Sequence, residues 1–408
     1  MTRTEYDVIV VGARCAGSPT AMLLARLGHR VLVVDRATFP SDTVSTHVLH
    51  PPAAAILRRW GLLEQVVATG CPPVRRYSFD FGPFTISGTP RSAEGLSAYA
   101  PRRTVLDKIL VDAARQAGAE VREGCTVDSL LTEEGSVVGL RGRASGGKGF
   151  EARAAVVVGA DGHNSFVARA VGSGVYNAKP VLQFAAYTYV RDLPLDGFEI
   201  FIRPDRGMAA VETNDGLTLV IVGWPAGEAA AYKRDVEGNF LATLDLVPEF
   251  AERFRRGTRV ERFRTGGVPN QLRTPYGSGW LLLGDAGYVK DPITAQGIPD
   301  AFADAERAAK ALHDVFAGRA TFHDACRRAQ DERDAHALPM LELTTQLATL
   351  APPPPEMQTL LGAISADQSA MDDFVSVIAG SVSPLVFFSA DNVGRLTSAA
   401  TVRPAARG

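Results

Sequence analysis

Several things are scarce in this chain. Its four cysteines, Cys15, Cys71, Cys125 and Cys326, lie far apart and form no C-x-x-C pair or metal-ligand spacing. A zinc centre and a dithiol redox centre are therefore excluded, and no metal is expected. Neither sign of charge is in excess: 43 basic residues face 45 acidic ones, a net charge of −2. Nothing here has the basic footprint of a nucleic-acid binder. The one arginine-rich stretch, Arg253 to Arg264, is interleaved with glutamates and reads as a solvated face. No apolar run approaches the roughly 20 residues of a membrane helix. The first strand signal begins by residue 7, which leaves no room for a signal peptide. A cytoplasmic protein with reduced thiols and no membrane span is expected.

What is present is concentrated in Tyr6 to Arg36, YDVIVVGARCAGSPTAMLLARLGHRVLVVDR. Asp7 to Val11 suits a parallel strand buried on both faces. Gly12-Ala13-Arg14-Cys15-Ala16-Gly17 makes a tight turn into a helical stretch, which Gly28 ends. Val31 to Val34 is a second buried strand with Asp35 at its carboxyl end, 18 residues beyond Gly17. This strand–turn–helix–strand unit is about as long as a dinucleotide fold needs. The helix start offers unpaired N–H groups and a positive dipole end to a pyrophosphate. Asp35 can accept hydrogen bonds from ribose hydroxyls and would repel a 2′-phosphate, which favours FAD or NAD over NADP. The second glycine of G-x-G-x-x-G is replaced by Arg14, which either points away or offers its cation to the diphosphate.

Further along, a long polar loop from Ala37 to His50 carries two histidines, and a helix follows to Trp60. Arg75 to Ser87 reads as a hairpin and Arg102 to Ala117 as an amphipathic helix. Ala119 to Val127 is read as one strand, Val137 to Arg141 and Gly149 to Ala154 as short antiparallel strands, and Ala155 to Ala160 as a separate parallel strand. Gln183 to Arg191, Phe198 to Arg203, Met208 to Glu212 and Leu217 to Gly223 form an antiparallel sheet. Two of these strands are joined through Asn214-Asp215-Gly216. Val236 to Arg256 is expected as one helix, Val260 to Arg264 as a strand, and Leu281 to Leu283 as a return to the parallel pattern. A stiff break at Pro352 to Pro355 precedes a helical tail.

Two more segments complete a constellation. VVVGADGHNS (Val156 to Ser165) is a buried strand ending in Gly159-Ala160-Asp161-Gly162. GWLLLGDAGYVKDPITAQGIPDAFADAERAAKAL (Gly279 to Leu312) is a strand ending in Gly284-Asp285, then a Pro-bearing loop and a long helix. Parallel strands ending in Gly and Asp imply one ligand at the carboxyl edge of the sheet. On these three motifs, over about residues 5 to 330, the chain resembles FAD-dependent oxidoreductases of the group A monooxygenase type. Geranylgeranyl reductases and flavin halogenases share that fold.

The resemblance implies an α/β, para-hydroxybenzoate hydroxylase-like fold: a Rossmann-type FAD-binding domain, an inserted antiparallel substrate sheet and a helical tail. The expected segments are 1–73, 101–175 and 276–330 for FAD binding, 74–100 and 176–275 for the substrate domain, and 331–408 for the helical C-terminal region. It implies that Gly12, Ala13, Arg14, Ala16, Gly17, Asp35 and Arg36 serve the ADP half of FAD. Arg103 would touch FAD, Val127 would lie by the adenine, Asp161 and Gly162 by the pyrophosphate, and Asp285 by the ribityl chain. The loop from Pro292 leads directly into a helix, so N–H groups near Gln296, Gly297 and Ile298 can face the flavin N1–C2=O edge and stabilise its reduced anion.

Only one dinucleotide fingerprint is present, so NAD(P)H is expected as a transient reductant. In the group A enzymes dioxygen then adds at flavin C4a, and the hydroperoxide hydroxylates or epoxidises a substrate. The expectation is a monooxygenase of an apolar or aromatic small molecule. The alternatives are an alkene reductase of the geranylgeranyl type and a non-catalytic FAD protein that shields a ligand. Halogenation is disfavoured because the first lysine is Lys108 and no W-x-W-x-I-P segment occurs. No catalytic acid or base is identified; His47 and His50 are the candidates, against a plain polar reading. Lys290 and Asp291 are read as a local ion pair. Phe184, Tyr187, Tyr189, Phe201 and Trp224 are either pocket or core.

Overall fold

The computed structural model describes residues 5–402. Residues 1–4 and 403–408, the ends of the expected first and last segments, lie outside the described residues.

The motif-bearing strands meet in one sheet. In spatial order it contains Trp280–Leu282, Gly149–Gly159, Tyr6–Val11, Val31–Val34 and Glu120–Arg122, every neighbouring pair parallel. Alternation along each strand divides its apolar side chains between two layers. Val8, Val10, Val31, Val33, Val156 and Val158 face the helices Gly17–Arg26, Arg103–Gln116 and Gly297–Phe316. Ile9, Val11, Leu32, Val34 and Val157 face an antiparallel hairpin layer made by Cys125–Glu133 and Ser136–Ala144.

A second sheet runs in the order Thr258–Arg259, Gln183–Arg191, Leu217–Pro225, Arg206–Glu212, Phe198–Arg203, Tyr77–Asp80, Thr85–Gly88. Its early hairpin joins by a parallel pairing, Tyr77 to Asp80 against Phe198 to Phe201. Phe184, Phe201 and Trp224 point to one face, packed with Phe240 and Phe250 of the helices Val236–Leu244 and Pro248–Arg256. Tyr187 and Tyr189 point to the other, toward the tail helices Pro355–Ser365 and Gln368–Ile378. All five aromatic residues are buried: three in the core under these helices, and two tyrosines in the core cluster on the face that meets the nucleotide-binding half.

Four boundaries differ from the sequence expectation. Ala119 to Val127 is two strands, because Gly124 at φ +63° turns the chain between Arg122 and Cys125. Gly149–Gly159 is one continuous strand, its first half paired with the hairpin layer and its second with the parallel sheet. The helix expected over Val236 to Arg256 breaks at Asp245 to Val247, and Pro248 starts the second piece, where its missing N–H costs nothing. Val260 to Arg264 is not a strand; pairing occurs on either side of it, at Thr258–Arg259 and Arg264–Gly266.

Gly17 fixes how closely the first helix approaches the sheet. A Cβ there would lie 1.8 Å from the Gly12 carbonyl oxygen, a backbone atom that cannot move aside. Gly17→Ala is expected to cost about 3 kcal/mol or more in urea unfolding, and to reduce the cofactor content of the purified protein.

Candidate functional site

The topology brings the ends of the parallel strands to one edge. Gly12 follows the first strand at φ +103°, and a Cβ there would lie 2.3 Å from the Ala160 carbonyl oxygen. Asp35 follows the second strand; its carboxylate accepts N–H bonds from Ala13 at 2.7 Å and Ala37 at 2.8 Å, while Arg36 beside it is exposed. Asp161 follows the third. It accepts from the N–H groups of Phe166 at 2.7 Å and Val167 at 3.2 Å and from the Ser165 hydroxyl at 2.5 Å, so it caps the short helix after it. Gly284-Asp285 follows the fourth, with Gly284 packed on Ala16. Asp285 is exposed to solvent at this edge, but the crowd of protein around it raises its carboxyl above the usual range. Arg273, which sequence reasoning missed, ties two of these ends together by donating to the Ala286 carbonyl at 2.9 Å and the His163 carbonyl at 3.1 Å. Val127 is half-buried in the hairpin layer, two residues beyond Cys125, whose N–H donates to the Asp35 carbonyl at 2.8 Å.

Beside the first turn sits a fully buried carboxylate, Asp107. It pairs with Arg14 Nη1 and accepts from Arg103 Nε at 3.0 Å and Nη2 at 2.9 Å and from the Cys15 thiol at 3.4 Å. Arg14 also donates to the Ser41 carbonyl at 3.2 Å and hydroxyl at 3.0 Å, and its guanidinium lies 5.3 Å from the Phe39 ring centroid. Arg14 therefore points away from the turn and fastens the Ala37 to His50 loop. Two guanidiniums on one carboxylate leave one positive charge in excess next to a helix amino terminus, a field that favours a diphosphate.

The loop before the helix Gly297–Phe316 is held from four directions. The Asp291 N–H donates to Asn270 Oδ1 at 2.7 Å, and Asp291 Oδ1 accepts from Gln183 and from the Ile293 N–H at 3.0 Å. Thr294 bonds Thr344 hydroxyl to hydroxyl at 2.9 Å. Gln296 Nε2 donates to the Ile378 carbonyl at 2.7 Å. Lys290 pairs with Asp300, not with Asp291, so the local ion pair expected from sequence does not form. Pro292 is half-buried, Ile298 is buried, and Gly297 is exposed with open space where a Cβ would stand.

Residues 5–344 match the family model described as an FAD binding domain. The chain belongs to that family. A digeranylgeranylglycerophospholipid reductase of Methanopyrus kandleri is 30% identical over 85% of this chain and 91% of its own. Among solved structures, the flavin-dependent brominase Bmp2 superimposes with a TM-score of 0.81 at 20% identity, covering 97% of this chain and 98% of that one. Aklavinone-11 hydroxylase, solved with FAD and aklavinone, gives 0.69 at 22% identity, covering 84% and 68%. Reductase, halogenase and hydroxylase thus share this fold, and the chain is an FAD-dependent oxidoreductase of the family. No helix among the described residues is long and apolar enough to cross a membrane.

In this FAD-binding fold the two histidines occupy the seam between the halves. His50 is buried, with Nδ1 2.6 Å from the Tyr77 hydroxyl and Nε2 3.0 Å from the Thr294 carbonyl oxygen. The carbonyl can only accept, so Nε2 carries the proton and the tyrosine donates to Nδ1. His47 is buried at φ +63°, with Nε2 2.5 Å from the Tyr189 hydroxyl. Burial pushes His50 down to about 4 and, with Arg103 and Arg102 nearby, His47 down to about 3. Both are neutral through the physiological range, which suits positioning rather than general acid–base work.

These shifts have a sign. The unfolded chain takes protons on both imidazoles below about 6.5, whereas the folded chain does not until about 4 and about 3. Their contribution to stability is present above pH 6.5 and is lost as the pH falls through that window, by about 1.4 kcal/mol per pH unit for each group. Asp291, pushed up to about 7 by burial, acts in the opposite sense. The stability difference between wild type and His50→Gln should therefore shrink from pH 7 to pH 4, as measured by urea unfolding across that range.

Proposed function

We propose that this chain is an NAD(P)H-dependent FAD monooxygenase that hydroxylates or epoxidises a flat apolar or aromatic small molecule. One observation carries the reading. On the face of the second sheet that meets the nucleotide-binding half, Ala185, Gly223, Gly207 and Ala209 are register partners or neighbours, with Ile221 beside them. These residues make a mostly apolar floor, bordered by the Gln183 amide over Gly223 and by Leu350 beside Gly207, and Ala185, Gly207, Ala209 and Ile221 stay partly exposed while the tyrosines flanking them are buried. A floor of this kind takes a planar ring.

The cofactor side is assigned from the same geometry. The start of the helix Gly17–Arg26 and the net positive charge of Arg14, Arg103 and Asp107 would hold the diphosphate. Asp35 would hold the ribose and Asp285 the ribityl chain. Asp161 and Gly162 would border the diphosphate, and the N–H groups at Gln296, Gly297 and Ile298 would face the pyrimidine edge of the ring. Bound FAD supplies the redox chemistry toward NAD(P)H and dioxygen. The protein orients, excludes water and holds protons. Asp291 Oδ2 is buried with no hydrogen-bond partner among the described residues, and its carboxyl is pushed up to about 7, so this atom can hold a proton beside the loop.

The Methanopyrus reductase supports a second reading, reduction of an alkene. The two part on a single experiment. With labelled dioxygen and NAD(P)H, one labelled oxygen atom is expected in the product of an aromatic substrate. Turnover of an alkene that proceeds without dioxygen and adds two hydrogens would overturn the monooxygenase reading. Ala185→Phe, which fills the floor, should retain FAD and lower kcat/KM by about a hundredfold, the order of 3 kcal/mol of lost binding.

A further inference from the structure

One end of that floor is polar and its hydrogen-bonding capacity is unspent. Tyr187 follows Ala185 on the same face of the strand, and Tyr189 follows Tyr187. His47 Nδ1 is buried with no hydrogen-bond partner among the described residues, and the buried Tyr187 hydroxyl, which faces the Arg264 guanidinium, keeps its own O–H to donate. Leaving such groups unpaired is costly, and His47 carries the further cost of a left-handed backbone. Both rings pack against Tyr189, each with its centroid 5.9 Å from the Tyr189 centroid. Tyr189 fixes the imidazole through Nε2, Ser45 Oγ accepts the His47 N–H at 3.0 Å, and the Arg102 guanidinium lies 4.5 Å from the Tyr189 ring centroid.

Resting on the assignment of the floor to the substrate, we propose that Tyr187 and His47 form the receptor for a neutral oxygen on the ligand. That oxygen is the hydroxyl or carbonyl of an otherwise apolar ring. Charge balance selects against the other oxygen-bearing classes. Arg102 Nη2 lies 2.5 Å from Glu261 Oε1 and 3.8 Å from Asp42 Oδ2, while Arg264 Nη2 lies 2.9 Å from Asp42 Oδ2 and 3.4 Å from Glu261 Oε2. Two cations meet two anions here, and Arg103, the third cation facing His47, is paired with Asp107 in the cluster set against the diphosphate, so no positive charge is left over for a carboxylate or phosphate on the ligand. A plain hydrocarbon would leave both polar groups unpaired. A hydroxyl can accept from the Tyr187 O–H and donate to Nδ1. A carbonyl can accept from both if Nδ1 carries the proton.

The test is equilibrium binding to the oxidised FAD-loaded enzyme, read from the flavin absorbance. Naphthol, naphthalene and naphthoate share one ring system. Naphthol is expected to bind about tenfold more tightly than naphthalene, equivalent to about 1.4 kcal/mol, and naphthoate more weakly than either. Tyr187→Phe keeps the ring and removes only the hydroxyl. It should bring naphthol to the affinity of naphthalene and leave naphthalene unchanged, and His47→Phe should erode the same preference. Equal binding of naphthol and naphthalene by wild type would overturn the proposal. So would naphthoate binding tightest, no response to any of the three, or a naphthol preference that survives Tyr187→Phe. The titration involves neither dioxygen nor alkene chemistry, so a reductase would still show the naphthol preference, and the labelled-oxygen experiment stands apart from it.

Discussion

The site depends on Asp107, one carboxylate buried among two arginines and a cysteine. A lone buried carboxylate costs several kcal/mol in lost hydration, and a lone buried guanidinium costs a similar amount. Together they settle the positions of three segments: the turn through Arg14 and Cys15, the helix start at Arg103, and, through Arg14 and Ser41, the long loop that carries His47 and His50. Removing the carboxylate would leave two cations facing each other where the chain must turn most tightly. The excess positive charge is no defect in this arrangement, because the first helix aims its amino terminus at the same place and FAD arrives with a dianionic diphosphate.

The nucleotide-binding half was legible because its physics is local. Parallel strands buried on both faces read as unbroken valine and isoleucine runs, and glycines where a Cβ would strike a backbone oxygen cannot be anything else. Asp35, Asp161 and Asp285 could be placed at one edge because each ends such a strand. What the sequence hid is whatever depends on partners far along the chain. Asp107 looks like an ordinary helix carboxylate until the fold brings Arg14 to it. Gln183 and Asn270 gave no sign that they would grip Asp291, and Arg273 none that it would tie His163 to Ala286. Arg264 belonged to a stretch read as solvated, yet it turns inward to Asp42. No periodicity marks such contacts, since each joins single residues across the fold.

The two sheets divide the labour. The parallel sheet presents strand ends and a helix amino terminus, features that bind a phosphate-bearing cofactor with little regard for the reaction that follows. The antiparallel sheet presents side chains on a broad face, where replacing one residue changes what lies against it. A fold built this way can host reductases, halogenases and hydroxylases without altering its cofactor half, and identity at the level of 20–30% is compatible with all three.

The bond from Gln296 to the Ile378 carbonyl concerns the order in which the protein is made. The helix beginning at Gly297 takes its bearings from a residue more than eighty positions later, and the strand Trp280–Leu282 docks against Gly149–Gly159 only after most of the chain exists. A ribosome-bound fragment can form the first βαβ unit but not the loop from Pro292 to Gln296 as Ile378 holds it. Completion of this loop is thus deferred until synthesis is all but complete, and a prematurely terminated chain would lack the loop as it is held in the finished protein.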